Sequence, residues 1–226
     1  MKLGVLYSGG KDSTLALMKA KKYHEITCLI SIISENKESF MFHTPNIEIT
    51  KMQAEAMQLP VIAIATKGEK EKELGELKEA VLFAKKKYKI EGIVTGAVAS
   101  TYQASRIQQI CKNLDLWCFN PLWLKDQIEL LNEIVDNKIC AIIGGVFADA
   151  LDKTFLGKKI DKKIIAKLSK IAATHHINPA GEGGEIETTV IDAPIFKKKI
   201  KIVKSEINYS NNSGIFLIKE SKLVSK

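Results

Sequence analysis

The sequence predicts an α/β fold, a parallel sheet with helices on its faces, followed by a smaller C-terminal α+β domain. Three observations carry this. Apolar strand-like runs alternate with helical spacing over the first 125 residues. An apolar run opens the chain and enters a glycine-rich turn with a helix behind it. Near residue 125 the alternation gives way to a helix, a strand, another helix and then a hairpin pattern. The expected boundaries are 1–125 and 126–226, and 226 residues bury a sizeable core either way.

Each element has its own signal. "KLGVLYS" reads as a buried strand, and a helix is expected from Ser13 to about Lys22. "ITCLISIIS" is a second strand. "NKESFMFHTPN" is a loop broken by Pro45 and Asn46. "IEITKMQAEAMQL" has helical spacing and "PVIAIATKG" is a third strand. "EKEKELGELKEAVLFAKKKY" is an amphipathic helix laced with i,i+4 Glu–Lys pairs. "IEGIVTGAV" supplies a fourth strand, "TYQASRIQQICKNL" a helix and "LWCFNPLW" a fifth strand. Beyond residue 125 come the helix "KDQIELLNEIVDN", the strand "CAIIGGVFA" and the helix "DKKIIAKLSKIAATHH". "INPAGEGGEIETTVIDAP" is a glycine-rich loop leading into a strand, and the last segment is a hairpin turning at "NNSG".

Composition narrows the function classes. The content of 46% hydrophobic and 27% charged residues is ordinary for a globular protein. No apolar run is long enough for a membrane span, and the N-terminus lacks a signal-peptide pattern, so a cytoplasmic protein without membrane partners is expected. The net charge of +8 is spread over both halves without a basic tail, so nucleic acid is not expected as a partner. A homo-oligomer is left open. The four cysteines show neither C-x-x-C spacing nor a zinc-type cluster; Cys28 and Cys140 read as packed thiols. Lysine serves almost everywhere a cation is needed, and Arg106 is the single arginine. That contrast marks Arg106 as a candidate planar clamp for carboxylate or phosphate.

The opening turn, "SGGKDS", is an anion site by construction. Gly9 and Gly10 let the backbone fold close and aim N–H groups at phosphate oxygens. The helix N-terminus adds partial positive charge, Lys11 a full one, and Ser8 and Ser13 offer hydroxyls. Asp12 fits such a site only if a cation intervenes, which points to Mg²⁺ with Asp12 as its ligand. The spacing matches neither a Walker A loop nor G-x-G-x-x-G.

"SGGKDS" resembles the PP-loop of the ATP pyrophosphatases. That resemblance implies a Rossmann-like sheet of the HUP, adenine nucleotide alpha hydrolase-like type, and cleavage of ATP between its α- and β-phosphates. Ligands in such sheets lie beyond the carboxyl ends of strands where strand order reverses. A fourth strand beside the first would bring "TGAVASTYQASR" to face the turn. Gly96 would then border the nucleotide, and Tyr102, Gln103 and Arg106 would lie near the phosphates or the acyl group. Tyr102 and Arg106, four apart, share a helical face.

Five segments, "SGGKDS", "MFHTPN", "GAVASTYQASRIQQIC", "NPLW" and "AGEGGEIETTVIDAP", occur in this order over nearly the whole chain. Together they resemble the diphthine–ammonia ligase family. The resemblance implies that ATP and Mg²⁺ activate a carboxylate on translation elongation factor two carrying diphthine. Ammonium then gives the amide, with AMP and diphosphate released through an acyl-adenylate. Lys11, Arg106 and Glu185 stand as the catalytic candidates. The chain offers no convincing glutaminase nucleophile, so free ammonium is the expected nitrogen source. The loop carrying Glu182, Glu185 and Glu187 reads as a pocket for ammonium or for the substrate's trimethylammonium group, and which glutamate meets which cation is left open. His43 is a further substrate-binding candidate. Residues 126–226 are expected to select the protein substrate while 1–125 activate ATP, and changes at Lys11 or Asp12 are expected to leave folding intact. Two other readings stay open: a PP-loop enzyme that modifies tRNA, for which Cys111 and Cys118 are the available thiols, and a nucleotide-binding protein without catalysis.

Overall fold

The computed structural model describes residues 1–34, 46–66 and 72–226. His43 lies outside the described residues. The first sheet has five parallel strands: β1 (Lys2–Leu6), β2 (Glu25–Ser34), β3 (Val61–Thr66), β4 (Gly92–Val94) and β5 (Trp117–Phe119). Their order is β3-β2-β1-β4-β5. The chain steps outward from β1 to one side, then returns to its other side with β4, so the strand order reverses between β1 and β4. The connecting helices are α1 (Lys11–Lys21), α2 (Ile49–Met57), α3 (Lys72–Tyr88) and α4 (Thr101–Asn113). This is the Rossmann-like α/β arrangement expected from the alternating pattern.

The remainder forms a four-stranded antiparallel sheet with helices. Its strands β6 (Cys140–Val146), β7 (Ile186–Asp192), β8 (Lys199–Ser210) and β9 (Ser213–Val224) stand in the order β7-β6-β9-β8. Helices α5 (Gln127–Asp136) and α6 (Lys162–His175) accompany it. Asp126 and Asp161 cap them, each accepting first-turn backbone N–H groups that no helical carbonyl can serve. The hairpin turns at Asn211 and Asn212, both at positive φ, as the twist of a two-residue turn demands.

Several details differ from the sequence expectation. Helix α1 begins at Lys11 rather than Ser13, so the charged residues of the turn belong to its first turn. Strand β5 is only three residues long, because "NPLW" forms a turn closed by Trp123 N–H donating to Asn120 O. Pro121, which has no N–H to give a ladder, stands in that turn. A short 3₁₀ turn, Lys153–Phe155, was not foreseen.

One large core joins the two halves. Leu3, Val5, Leu15 and Leu17 from the first pack in the same cluster as Leu130, Leu131, Ile143, Val190 and Phe196 from the second. Helix α1 touches β1, β2 and β4 on one side and β7 on the other. A second cluster, on the side of α3 and α4, holds Cys28, Leu77, Val81, Ile93 and Ile107. Among the described residues no helix is long and apolar enough to cross a membrane.

Candidate active site at the phosphate turn

A cavity of about 640 Å³ opens beyond the carboxyl ends of β1 and β4, where strand order reverses. Ser8, Gly10, Lys11, Asp12 and Ser13 form one wall, and Gly96 and Gln103 a second. A third wall comes from the C-terminal half: Glu182, Gly183, Gly184, Glu187 and Thr188. The acidic loop and the phosphate turn, about 175 residues apart in the chain, thus face one space.

Backbone geometry sets the turn. Gly9 has φ +78, a conformation that side-chain-bearing residues rarely adopt, and a Cβ there would meet the Gln53 amide. Gly9 O accepts from Val190 N–H at 2.9 Å and from Gln53 Nε2 at 2.9 Å. Gln53 also donates to Val190 O at 2.7 Å. This fully buried amide on α2 therefore ties the phosphate turn to β7. Lys11 N–H donates to Thr188 Oγ1 at 3.1 Å, a second tie to the same strand. Gly96 has a different reason for being glycine. A Cβ on it would lie 2.7 Å from Ser13 N, so the chain leaving β4 passes directly over the start of α1.

The charges are held tightly. Lys11 is 3% exposed; its Nζ donates to Asp12 Oδ2 at 2.7 Å and to Ala180 O at 2.5 Å. The expectation that substitutions here touch only an exposed turn is therefore corrected: Lys11 is part of the junction between the halves. Asp12 Oδ1 is buried without a hydrogen-bond partner. An unfilled carboxylate oxygen beside an anion cradle suits a hard divalent cation that takes its other ligands from phosphate and water. Among the described residues no three His, Cys, Asp or Glu side chains form a metal-binding cluster.

The three glutamates differ. Glu185 accepts from Asn178 N–H at 2.8 Å, Asn178 Nδ2 at 2.9 Å and Gly183 N–H at 2.8 Å. It staples its own loop and is not part of the cavity wall. Glu182 accepts from Ala99 N–H at 3.2 Å, linking the loop to the segment after β4. Burial raises its pKa above the ordinary glutamate value; the Asp12 charge adds to this and Lys11 opposes it. Glu187 lies partly buried on the wall. Burial pushes its pKa up to about 7, with Lys11 opposing and Asp12 and Glu182 reinforcing the shift.

Of the residues expected at the site, Ser8, Gly10, Lys11, Asp12, Ser13, Gly96, Gln103, Glu182 and Glu187 are brought together here, with Gly9 beneath them. Tyr102 and Arg106 share a face of α4 as expected, the guanidinium carbon standing 3.5 Å from the ring centroid, but neither belongs to the cavity wall. Gln53 and Thr188 were not foreseen. Thr188 sits within the quoted "GEGGEIET" segment; Gln53 carried no signal beyond a polar residue within an amphipathic pattern. Cys111 and Cys118 approach each other on the α4 side of the sheet, and neither lines the cavity.

Comparison with known proteins agrees with this arrangement. A family model for the diphthamide synthase N-terminal domain matches residues 1–117, and one for the diphthamide synthase C-terminal domain matches 126–224. A diphthine–ammonia ligase from Bos taurus is 34% identical over 227 residues, covering 92% of this chain and 85% of that protein. One from Schizosaccharomyces pombe is 32% identical over 238 residues, covering 97% of this chain and 39% of that protein. A solved structure described as a predicted subunit of a tRNA methyltransferase from Methanocaldococcus jannaschii is 17% identical. It covers 86% of this chain and 98% of that one at a TM-score of 0.42, a likeness too distant to carry an argument. With both domain models matched in order and relatives above 30% identity along almost the whole length, the chain belongs to the diphthamide synthase family of carbon–nitrogen ligases.

Proposed function

We propose that this protein converts the diphthine carboxylate of translation elongation factor two to the amide of diphthamide, using ATP, Mg²⁺ and ammonium. The observation that carries the reading is the shared cavity: a phosphate turn and an acidic loop, joined by hydrogen bonds, line one space. A carboxylate resists direct attack by ammonia because its oxygen leaves poorly. Transfer of AMP to that oxygen supplies a good leaving group and releases diphosphate.

Each wall has a task in this scheme. The N-terminus of α1 and Lys11 face the phosphates and stabilise the charge that builds on departing diphosphate. Asp12 would hold Mg²⁺, which when bound neutralises phosphate charge. Glu182 and Glu187 make their part of the wall attractive to cations, and both ammonium and the trimethylammonium group of diphthine are cations. Gln103 lies between the walls on α4. Tyr102 and Arg106, stacked beyond the wall, are assigned to the incoming protein. Glu185 holds the loop in shape rather than meeting ammonium. Division of labour between the halves becomes joint construction of one site. Thiol chemistry on tRNA is disfavoured because neither of the approaching cysteines lines the cavity.

The test is ATP–diphosphate exchange in the presence of diphthine-bearing elongation factor two. Exchange should require that protein. Asp12→Asn keeps the side chain's shape, loses the cation contact, and should lower exchange about 100-fold or more. Exchange at the wild-type rate in this variant would remove Asp12 from the scheme, and wild-type protein without exchange would refute adenylation.

A further inference from the structure

We propose that Glu187 is the base that takes a proton from ammonium inside the cavity, delivering ammonia with a free lone pair to the acyl carbon. The inference rests on the amidation reading above and deepens it at one residue.

Ammonium cannot attack, since its nitrogen has no lone pair. A group within reach must remove a proton, and it must not already be committed. Among the described residues the cavity wall offers three carboxylates. Asp12 is paired with Lys11 at 2.7 Å and already committed to that cation. Glu182 accepts from Ala99 N–H. Glu187 accepts no hydrogen bond from any described residue, although it stands on β7 with its backbone fixed in register opposite Gly145. Thr188, the next residue, is bonded to the phosphate turn through Lys11 N–H, so the strand holds Glu187 within one residue of the nucleotide side. A carboxylate that is anchored through its backbone, faces the reaction space and lacks a partner is free to accept a proton.

The charged groups facing Glu187 are Lys11 and Asp12 from α1 and Glu182 from the loop before β7. Two acids against one base leave a net attraction for a cation at this wall. Burial, opposed by Lys11 and reinforced by Asp12 and Glu182, brings Glu187 to about 7, where a base both accepts a proton and returns it readily.

The protons and electrons balance. An ammonium N–H bond breaks and the proton passes to a Glu187 oxygen. The freed lone pair forms the C–N bond, and the acyl C–O bond breaks with its electron pair leaving on AMP. A second N–H proton departs to solvent or to the AMP phosphate, giving the neutral amide. Glu187 then releases its own proton to water.

Hydroxylamine provides the test, because it is uncharged near neutral pH and needs no deprotonation before attack. Full-length wild type, Glu187→Gln and Glu187→Asp are compared with diphthine-bearing elongation factor two and ATP at pH 7. In Glu187→Gln, amide formation from ammonium should fall about 100-fold, while hydroxamate formation persists, so the hydroxamate-to-amide ratio rises by a similar factor. Glu187→Asp, which retains a carboxylate, should recover part of the lost rate. In wild type, kcat/KM for ammonium should fall below about pH 7 as Glu187 becomes protonated, and this inflection should vanish in the glutamine variant. Equal losses with both nucleophiles, or full amidation by Glu187→Gln, would overturn the assignment. Loss of ATP–diphosphate exchange in the variant alone would place Glu187 in the nucleotide site and overturn it too. Absence of exchange in wild type would instead defeat the adenylation reading beneath it.

Discussion

Cys111 and Cys118 illustrate how a single contact separates two chemically identical side chains. The Cys111 thiol is raised, first by its hydrogen bond to Cys118 and then by burial. The Cys118 thiol is lowered because that same bond stabilises its thiolate, against the opposing effect of burial. Iodoacetamide near pH 8 should therefore modify Cys118 well before Cys111, as read by peptide mass spectrometry; preferential labelling of Cys111 would contradict the bond's direction. The glutamates show the same dependence on surroundings. All three are visible in "GEGGEIET", but the sequence does not say which oxygen is already occupied. Glu185 follows two glycines, and a flexible turn lets its carboxylate fold back onto Gly183 and Asn178 N–H groups. Glu187 is carried by a strand and cannot fold back in that way. Lys11 stood out in the sequence as a candidate phosphate-binding cation, whereas its burial was not legible. That burial depends on Ala180 O arriving from a distant part of the chain.

At the scale of elements, α2 is the least conspicuous contributor and one of the most consequential. Its buried Gln53 donates to a carbonyl of the phosphate turn and to a carbonyl of β7, so one side chain holds the turn against the strand that carries Glu187. Gln53→Ala should leave Val190 O without this donor and loosen the turn. The expected result is a rise of about tenfold in KM for ATP, with a smaller change in kcat and a thermal midpoint lower by a few degrees, about 1–2 kcal/mol. An unchanged KM with the same loss of stability would limit Gln53 to a structural role. The parallel strands were legible because each is a short apolar run bounded by breakers, and β4 does pair with β1 as the resemblance implied. Strand β5 was overextended because "LWCFNPLW" is apolar throughout, while Asn120 and Pro121 turn the chain after three residues. Gln53 carried no such signal, since its partners are 44 and 137 residues away.

For the whole molecule, the change of pattern near residue 125 marks a change of sheet rather than a break in the core. Leu15 and Leu17 on α1 share a cluster with Leu130, Ile143 and Val190, and β7 hydrogen-bonds directly to the phosphate turn. A functional site assembled from both halves follows from that packing. It was not legible in sequence because the junction is made by backbone groups at Gly9, Ala180 and Val190, whose partners no local pattern specifies. The central claim is that this joint cavity adenylates a carboxylate before ammonia enters. The most direct measurement uses diphthine-bearing elongation factor two with a heavy oxygen isotope in the diphthine carboxylate, followed by mass analysis of the released AMP, diphosphate and amide. The account predicts one heavy oxygen in AMP and one retained in the amide, with none in diphosphate. Heavy oxygen in inorganic phosphate or diphosphate, with unlabelled AMP, would mean that a different phosphorus is attacked and would contradict it.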